Sequence, residues 1–159
     1  MDEALRVIIV RDSRAFDILI KALKDEARGV RRKAAKVLED MKDPRAIEPL
    51  SIALLDKDRE TQLEAEWALR KMGSLKDSRV VALLIAALRD DQAQVRQRAA
   101  EALVATENSR AIEPLISALS DKDKAVRGSA WWALRRITGW DAESPAEWQQ
   151  WWEQNKAKQ

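Results

Sequence analysis

The sequence contains no histidine, no cysteine and no tyrosine. Without histidine, the chain lacks the side chain that most often acts as a general base or a metal ligand. Without cysteine, it has neither a disulfide nor a thiolate that could attack a substrate or bind a metal. Catalysis by a Ser/His/Asp or Cys/His arrangement is therefore excluded. We expect a protein that is not an enzyme and that uses no cofactor or metal.

Glycine and proline are also scarce, with four of each in 159 residues. Because alanine, leucine, glutamate, lysine and arginine dominate instead, the composition predicts an almost entirely helical protein. No apolar run is long enough to span a bilayer, and no signal peptide is visible, so we expect a soluble, cytoplasmic protein. The net charge of +2 comes from 29 basic and 27 acidic residues. Such a small excess does not favour a nucleic-acid partner.

One segment occurs four times along the chain. The copies are DSRAFDILIKAL, DPRAIEPLSIAL, DSRVVALLIAAL and NSRAIEPLISAL, and they begin at Asp12, Asp43, Asp77 and Asn108, with spacings of 31, 34 and 31 residues. A second segment follows each copy: VRRKAAKVL, TQLEAEWAL, VRQRAAEAL and VRGSAWWAL. Two helical segments in a period of this length predict a helical solenoid, in which each repeat buries its apolar face against its neighbours.

Apolar residues recur at helical spacing in both segments. We predict the first helices at 13–24, 44–55, 78–89 and 109–120, each begun by an Asp or Asn cap. We predict the second helices at 28–41, 59–72, 93–106 and 124–138, with Asp58 and Asp123 as caps. Pro49 and Pro114 lie inside two of the predicted first helices, and we expect each to bend its helix.

Both ends of the chain differ from the repeats. Residues 3–11 align with the last part of a second helix and form half a repeat. Near the other end, Ser144 and Glu147 form a capping box for a helix at 145–156. Trp148, Trp151 and Trp152 of that helix share one face, which is typical of a cap that covers the end of the core. The alternative is a helix that lies on a membrane surface or stacks on a ligand.

These segments predict a single domain over residues 1–159. Its parts are an N-terminal cap at 1–11, repeats at 12–42, 43–76, 77–107 and 108–138, and a C-terminal cap at 139–159.

The pattern D-x-R-A-I-x-P-L-I-x-A-L, followed by D-x-x-x-V-R-x-x-A-A-x-A-L, resembles HEAT repeats of the short bacterial and archaeal type, often called PBS-lyase HEAT-like repeats. The resemblance covers residues 12–138, and the tail ITGWDAESPAEWQQWWEQNK resembles the C-terminal cap of some bacterial members. It implies an all-α, right-handed α-α superhelix whose second helices line the concave face. Repeat two departs from the pattern at Thr61, Gln62 and Glu66.

Members of this family mostly act as protein-binding scaffolds, a few assist the attachment of bilins, and some relatives of the architecture handle DNA. The resemblance therefore implies a scaffold that binds a protein partner through its concave face. Two alternatives stay open: an accessory subunit of an enzyme complex, of the bilin-lyase kind, and a nucleic-acid-binding module. The identity of the partner and the oligomeric state cannot be inferred from the sequence.

The outward positions of the second helices contain an unusual set of side chains. Trp67 and Trp132 occupy the same position in repeats two and four, and arginines lie within one turn of them. Exposed tryptophan beside arginine is typical of interface hot spots. The alternative is that both rings pack over a repeat junction or under the C-terminal cap. The predicted partner-binding residues are Trp67, Trp132, Leu63, Arg70, Arg98, Arg135 and Arg136.

A second recurring set pairs arginine with aspartate. Its members are Arg31, Arg96 and Arg127 on the second helices and Asp25, Asp56, Asp90 and Asp121 in the turns before them. Because the set recurs with the repeat itself, we interpret it as a ladder of Arg–Asp bonds that joins the turns of adjacent repeats. The alternative is a ladder of anion sites.

Overall fold

A computed structural model describes residues 13–158, and every regular element among them is a helix. The half-repeat predicted at 3–11 and the cap predicted at Asp12 lie outside these residues. The first helices of the four pairs are α1 (Ser13–Ala22), α3 (Ile47–Ala53), α5 (Ser78–Ala87) and α7 (Ile112–Ala118). The second helices are α2 (Arg28–Met41), α4 (Arg59–Lys71), α6 (Ala93–Thr106) and α8 (Lys124–Thr138). The last α-helix is α9 (Pro145–Asn155).

The helices group into two compact units, with the boundary between Leu75 and Lys76. In the first unit, α1 packs on α2, α3 packs on α4, and the two second helices pack on each other. In the second unit, α5 packs on α6 and α7 packs on α8, while α6 packs on α8 and α9 packs on α7. The all-α fold of helical pairs is therefore confirmed. The division of residues 1–159 into one domain of repeats and caps stays a prediction.

Several helices begin where the sequence supplies a cap, although α2 and α6 begin without a side-chain cap. Asp43, Asp77 and Asn108 each accept a hydrogen bond from the backbone N–H two residues further on, at 2.8, 2.8 and 3.0 Å. Asp58 accepts one from the N–H of Thr61 at 3.0 Å. These bonds satisfy N–H groups that have no partner within their helix. Three second helices, α2, α6 and α8, have the predicted bounds.

The two prolines lie at helix starts and not in mid-helix as predicted. Short 3₁₀ helices, Pro44–Ala46 and Ser109–Ala111, precede α3 and α7. Pro49 and Pro114 are consequently the third residues of their α-helices. The backbone N–H at that position has no acceptor within the α-helix, so proline removes no α-helical bond there.

Within each unit, the core follows two columns along the second helices. One column consists of alanines that are almost completely buried: Ala34, Ala65, Ala99 and Ala130. The other consists of leucines that are completely buried: Leu38, Leu69, Leu103 and Leu134. Small alanine side chains let neighbouring helices approach closely, and the leucines fill the space between them. Val30 is 39% exposed, whereas Val126 at the same position of repeat four is completely buried.

Two arginines join successive helical pairs. Arg31, which is only 3% exposed, donates from Nε and Nη2 to the carboxylate of Asp56 at 2.8 and 3.0 Å. Its Nη1 donates to the backbone carbonyl oxygens of Asp25 and Glu26 at 2.8 and 2.9 Å. One guanidinium thus holds its own turn together and binds the turn of the next pair. The Arg–Asp interpretation is confirmed for this junction.

Arg96 repeats this arrangement in the second unit. It donates to the Asp121 carboxylate at 2.7 and 2.8 Å and to the carbonyl oxygens of Asp90 and Asp91 at 2.8 and 3.0 Å. The hydrogen bonds from Arg96 to the Asp121 carboxylate hold the pKa of that carboxyl below its ordinary value.

The other two repeats keep only the bonds within the turn. In repeat two, Gln62 stands in place of the arginine, and its Nε2 donates to the Asp56 carbonyl oxygen at 2.6 Å. In repeat four, Arg127 donates from Nη1 to the carbonyl oxygens of Asp121 and Lys122 at 2.8 and 3.1 Å. The bond inside the turn is therefore the common element, and the bond to the next pair is found at Arg31 and Arg96.

None of the helices between residues 13 and 158 combines the length and the hydropathy that a membrane-spanning segment needs.

Replacing Arg31 with methionine tests the link in the first unit. The substitution keeps most of the side-chain volume but leaves the Asp56 carboxylate without its buried partner, so we expect the free energy of unfolding to fall by about 3 kcal/mol. Urea unfolding followed by circular dichroism measures this. Arg110→Met is the matched control, because it makes the same change at an exposed side chain and should change stability little. Equal effects of the two substitutions would contradict the role assigned to Arg31.

The Arg96–Asp121 bond predicts a dependence of stability on pH. The folded-state pKa of Asp121 is below its ordinary value of 3.8. The contribution of the Asp121 carboxylate to the free energy of unfolding is therefore complete above pH 3.8. It is lost as the pH falls through the lowered folded-state pKa, since the unfolded chain binds the proton more readily. The stability difference between the wild type and Asp121→Asn should therefore shrink as the pH falls below about 4. Urea unfolding at successive acidic pH values measures it, and a constant difference would contradict this origin.

Candidate partner-binding sites

Helix α4 presents an apolar strip to solvent on the side away from the core. Its inner residues Ala65, Ala68 and Leu69 are completely buried. In contrast, Leu63 is 43% exposed and Trp67 is 53% exposed. Residues four apart lie next to each other on a helix, so the two exposed side chains form one surface. Sequence reasoning placed both of them at outward positions.

The charges beside Trp67 differ from those expected. Lys71 places its Nζ 5.4 Å from the centroid of the Trp67 ring, within the range of a cation–π interaction. Arg70 is held by Glu66, with Nη2 and Oε1 2.9 Å apart. Lys71 is therefore the cation in contact with the indole ring, whereas Arg70 already has a carboxylate partner. Sequence reasoning missed Lys71, although its position four residues after Trp67 could have identified it.

Helix α8 carries two adjacent tryptophans that face different surroundings. Trp131 meets Trp148 of α9 in an edge-to-face contact with 6.3 Å between the ring centroids. Trp132 is 50% exposed. The structure thus brings the cap onto Trp131 and leaves half of Trp132 in contact with solvent.

A pocket lies beside Trp132, at the end of α8. Its volume is about 350 Å³. The residues that line it are Trp132, Arg135, Arg136, Gly139, Trp140 and Asp141. Arg135 is paired with Asp141, with Nη2 and Oδ2 3.0 Å apart. Arg136 makes no hydrogen bond or ion pair with any residue of the described range 13–158.

The structure brings three of the predicted binding residues together in this pocket, namely Trp132, Arg135 and Arg136. Arg98 is half-buried, already interacts with another part of the protein and does not line the pocket. Sequence reasoning missed Trp140 and Asp141. They enter the lining because Gly139 adopts the left-handed conformation (φ 69°) and ends α8. The sequence signal was the glycine after the last helical residue.

The C-terminal cap gives the pocket a firm wall. Ser144 accepts a hydrogen bond from the N–H of Glu147 at 3.3 Å and so starts α9 as predicted. Trp148 is completely buried and Trp152 is nearly so. Trp140 stacks on Trp151, with 5.7 Å between centroids and 16° between ring planes. Trp140 also contacts the edge of Trp148, with 5.0 Å between centroids.

The titratable groups with clearly shifted pKa values belong to helix caps and ion pairs. Hydrogen bonds from Arg79 lower the pKa of Asp77, the cap of α5, to about 2. Hydrogen bonds from Arg45 lower the pKa of Asp43, the cap before α3. Such shifts keep the carboxylates charged and do not prepare a general acid or base. Among the described residues, no group of three or more acidic side chains could hold a metal ion.

Comparisons with known proteins agree with the repeats. Residues 3–70 and 80–147 match a family model described as HEAT repeats, and residues 65–90 match the model of the PBS lyase HEAT-like repeat. Among solved structures, the chain is similar to an engineered protein crystallised by a structural genomics consortium. The identity is 25%, the TM-score is 0.47, and the alignment covers 87% of this chain and 68% of that one. A comparison with curated proteins gave no match.

Substituting individual tryptophans should separate the surface from the core. Trp148→Ala leaves a cavity in the cap and should lower the free energy of unfolding by about 4 kcal/mol. Trp67→Ala and Trp132→Ala remove half-exposed rings and should each change it by less than about 1 kcal/mol. Urea unfolding followed by circular dichroism measures all three. A loss at Trp67 or Trp132 as large as that at Trp148 would make that ring a core residue.

Proposed function

The chain belongs to the HEAT-repeat family, and from that premise we propose that it is a non-enzymatic scaffold that holds a protein partner. Proteins of this family are generally interaction scaffolds. We place the contact on the outward surfaces of the second helices, which line the concave face in the superhelix that the family forms. The absence of histidine and cysteine from the sequence supports a role in binding rather than catalysis.

The observation that carries this proposal is the half-exposure of Trp67 and Trp132. Burial of an indole ring removes a large apolar surface from water, which is favourable. A ring that stays in water has not gained this stabilisation. The inner faces of α4 and α8 are buried in the core. The tryptophans on their outer faces are therefore not needed to fill the core. Tryptophan is among the residues that most often dominate binding energy at interfaces. Leu63 extends the apolar surface around Trp67.

The surrounding charges indicate the chemistry of the partner. In the first unit, Lys71 lies over the Trp67 ring. In the second, Arg135 and Arg136 lie beside Trp132. Cations next to indole rings favour a partner segment that combines carboxylates with apolar side chains. Arg70 and Arg98, both engaged within the protein, would have to exchange partners before contributing.

Retention of a partner by single-residue variants tests this proposal. We expect Trp67→Ala or Trp132→Ala to weaken binding by more than about 1 kcal/mol, or about fivefold in affinity. The wild type and each variant are immobilised and exposed to the same lysate, and retained proteins are quantified by mass spectrometry. The dissociation constant of each retained protein is then measured with purified components.

The matched control is Ile52→Ala. Ile52 is 46% exposed but lies on α3, a first helix, so its substitution removes apolar surface from the other helix of the same pair. Retention that falls equally for Ile52→Ala and both tryptophan variants would reject the second helices as the site. Retention that nuclease treatment abolishes would point to nucleic acid as the bridging ligand.

A further inference from the structure

Hydrogen bonds and ring stacking hold one wall of the pocket at the end of α8, called here the C-terminal pocket. Gly139 closes the helix, with its N–H donating to the Arg135 carbonyl oxygen at 2.9 Å. The N–H of Trp140 donates to Oγ1 of Thr138 at 3.1 Å. The Trp140 ring is held by its stacking on Trp151. A wall that is already ordered costs a ligand little conformational entropy on binding.

The charges of the pocket favour an anion. Two of its lining side chains are guanidinium groups and one is a carboxylate. No residue between 13 and 158 occupies the guanidinium donors of Arg136. A guanidinium forms strong, directional hydrogen bonds with a carboxylate. The pocket therefore attracts a carboxylate more strongly than a neutral group.

Asp141 is a built-in competitor for that carboxylate. Its ion pair with Arg135 joins two side chains that are each more than half exposed. Ion pairs of this kind contribute little stability, so a carboxylate from a ligand can replace Asp141 on Arg135 at small cost. The fixed negative charge of Asp141 also repels a ligand with two negative charges, such as a phosphate group, more than one with a single charge.

The size and the aromatic lining narrow the choice of ligand. A volume of about 350 Å³ is near the lower end for ligand pockets and suits one or two side chains. The indole rings of Trp132 and Trp140 offer apolar and aromatic contacts next to the two arginines. A carboxylate alone would leave these rings uncovered. A peptide that places an acidic residue beside an aromatic or aliphatic one would use both parts of the pocket.

We propose that the C-terminal pocket binds an acidic peptide segment of the protein partner. A carboxylate of that segment lies on Arg136 and Arg135, and the neighbouring apolar side chain packs against Trp132 and Trp140. Asp141 sets the affinity by competing for Arg135. This inference rests on the proposed function, because Trp132 belongs to the surface on which the partner is placed.

A titration with two matched peptides tests it. The probes are acetyl-Glu-Phe-Glu-Leu-amide and its neutral counterpart acetyl-Gln-Phe-Gln-Leu-amide. Binding is followed by nuclear magnetic resonance through the indole N–H signals of Trp132 and Trp140, which are assigned with single Trp→Phe variants. We expect the acidic peptide to shift both signals with a dissociation constant of about 1 mM, and the neutral peptide to bind at least about fivefold more weakly.

Three variants test which charged side chains of the pocket affect binding of the acidic peptide. Arg136→Gln should weaken binding of the acidic peptide by about fivefold, which is the effect of one partly exposed charge-assisted contact. Asp141→Asn should strengthen it by about threefold, because the competing carboxylate is gone. Arg110→Gln is the matched control: it removes the same charge from an exposed arginine of the same unit that does not line the pocket. Circular dichroism confirms that each variant is folded.

Several outcomes would overturn the inference. They are equal shifts with both peptides, no saturable shift with the acidic peptide up to about 10 mM, and equal effects of Arg136→Gln and Arg110→Gln. Inorganic phosphate is titrated as a separate probe, and tighter binding of phosphate would assign the pocket to a phosphorylated ligand. A partner that is lost with Trp132→Ala but bound normally by Arg136→Gln and Asp141→Asn would leave the scaffold function standing and reject only the acidic-peptide chemistry.

Discussion

The buried guanidinium at the junction between helical pairs is the polar interaction that links the two pairs of each unit. A single pair cannot bury its apolar face alone, so something must fix where the next pair lies. Arg31 does so by bonding two carbonyl oxygens of its own turn and the Asp56 carboxylate of the next. Asp56 in turn accepts a hydrogen bond from the N–H of Asp58, the residue that caps α4. A lysine could not make these bonds together, because only the planar guanidinium offers five donors in a fixed arrangement.

The repeats share a sequence pattern but not one set of bonds, and the differences have physical reasons. A buried arginine needs a carboxylate, because an unpaired charge away from water is strongly destabilising. Arg31 and Arg96 have such a partner, with the acid 25 residues further along the chain in each case. Gln62 is uncharged and keeps its turn closed with a single amide donor. It belongs to the last pair of the first unit, which ends at Leu75. Among residues 13–158, each unit thus contains one complete arginine link.

Sequence reasoning succeeded where a feature depends on backbone periodicity and failed where it depends on long side chains. Four copies in phase determine the bounds of α2, α6 and α8 and the outward position of Trp67, whose exposure the sequence left open. The same reasoning could not tell which neighbour a flexible cation would choose, and it missed the ion pair between Arg70 and Glu66. The assignment of Arg70 to partner binding stays a prediction. Asp141 was missed for a related reason, since its place in the pocket follows from the turn at Gly139 and not from any helical period.

The neighbouring tryptophans of α8 connect the cap with the pocket. Successive residues on a helix point about 100° apart, so Trp131 reaches the cap while Trp132 stays in contact with solvent. Trp140 then belongs to both structures, because it packs on Trp148 and Trp151 and also lines the pocket. A ligand that binds only when Trp140 is in place stabilises the folded cap by mass action. Conversely, a loosened cap lowers the fraction of molecules that are competent to bind. Under the proposal of a peptide in this pocket, its occupancy and the folding of the last helix are therefore linked equilibria.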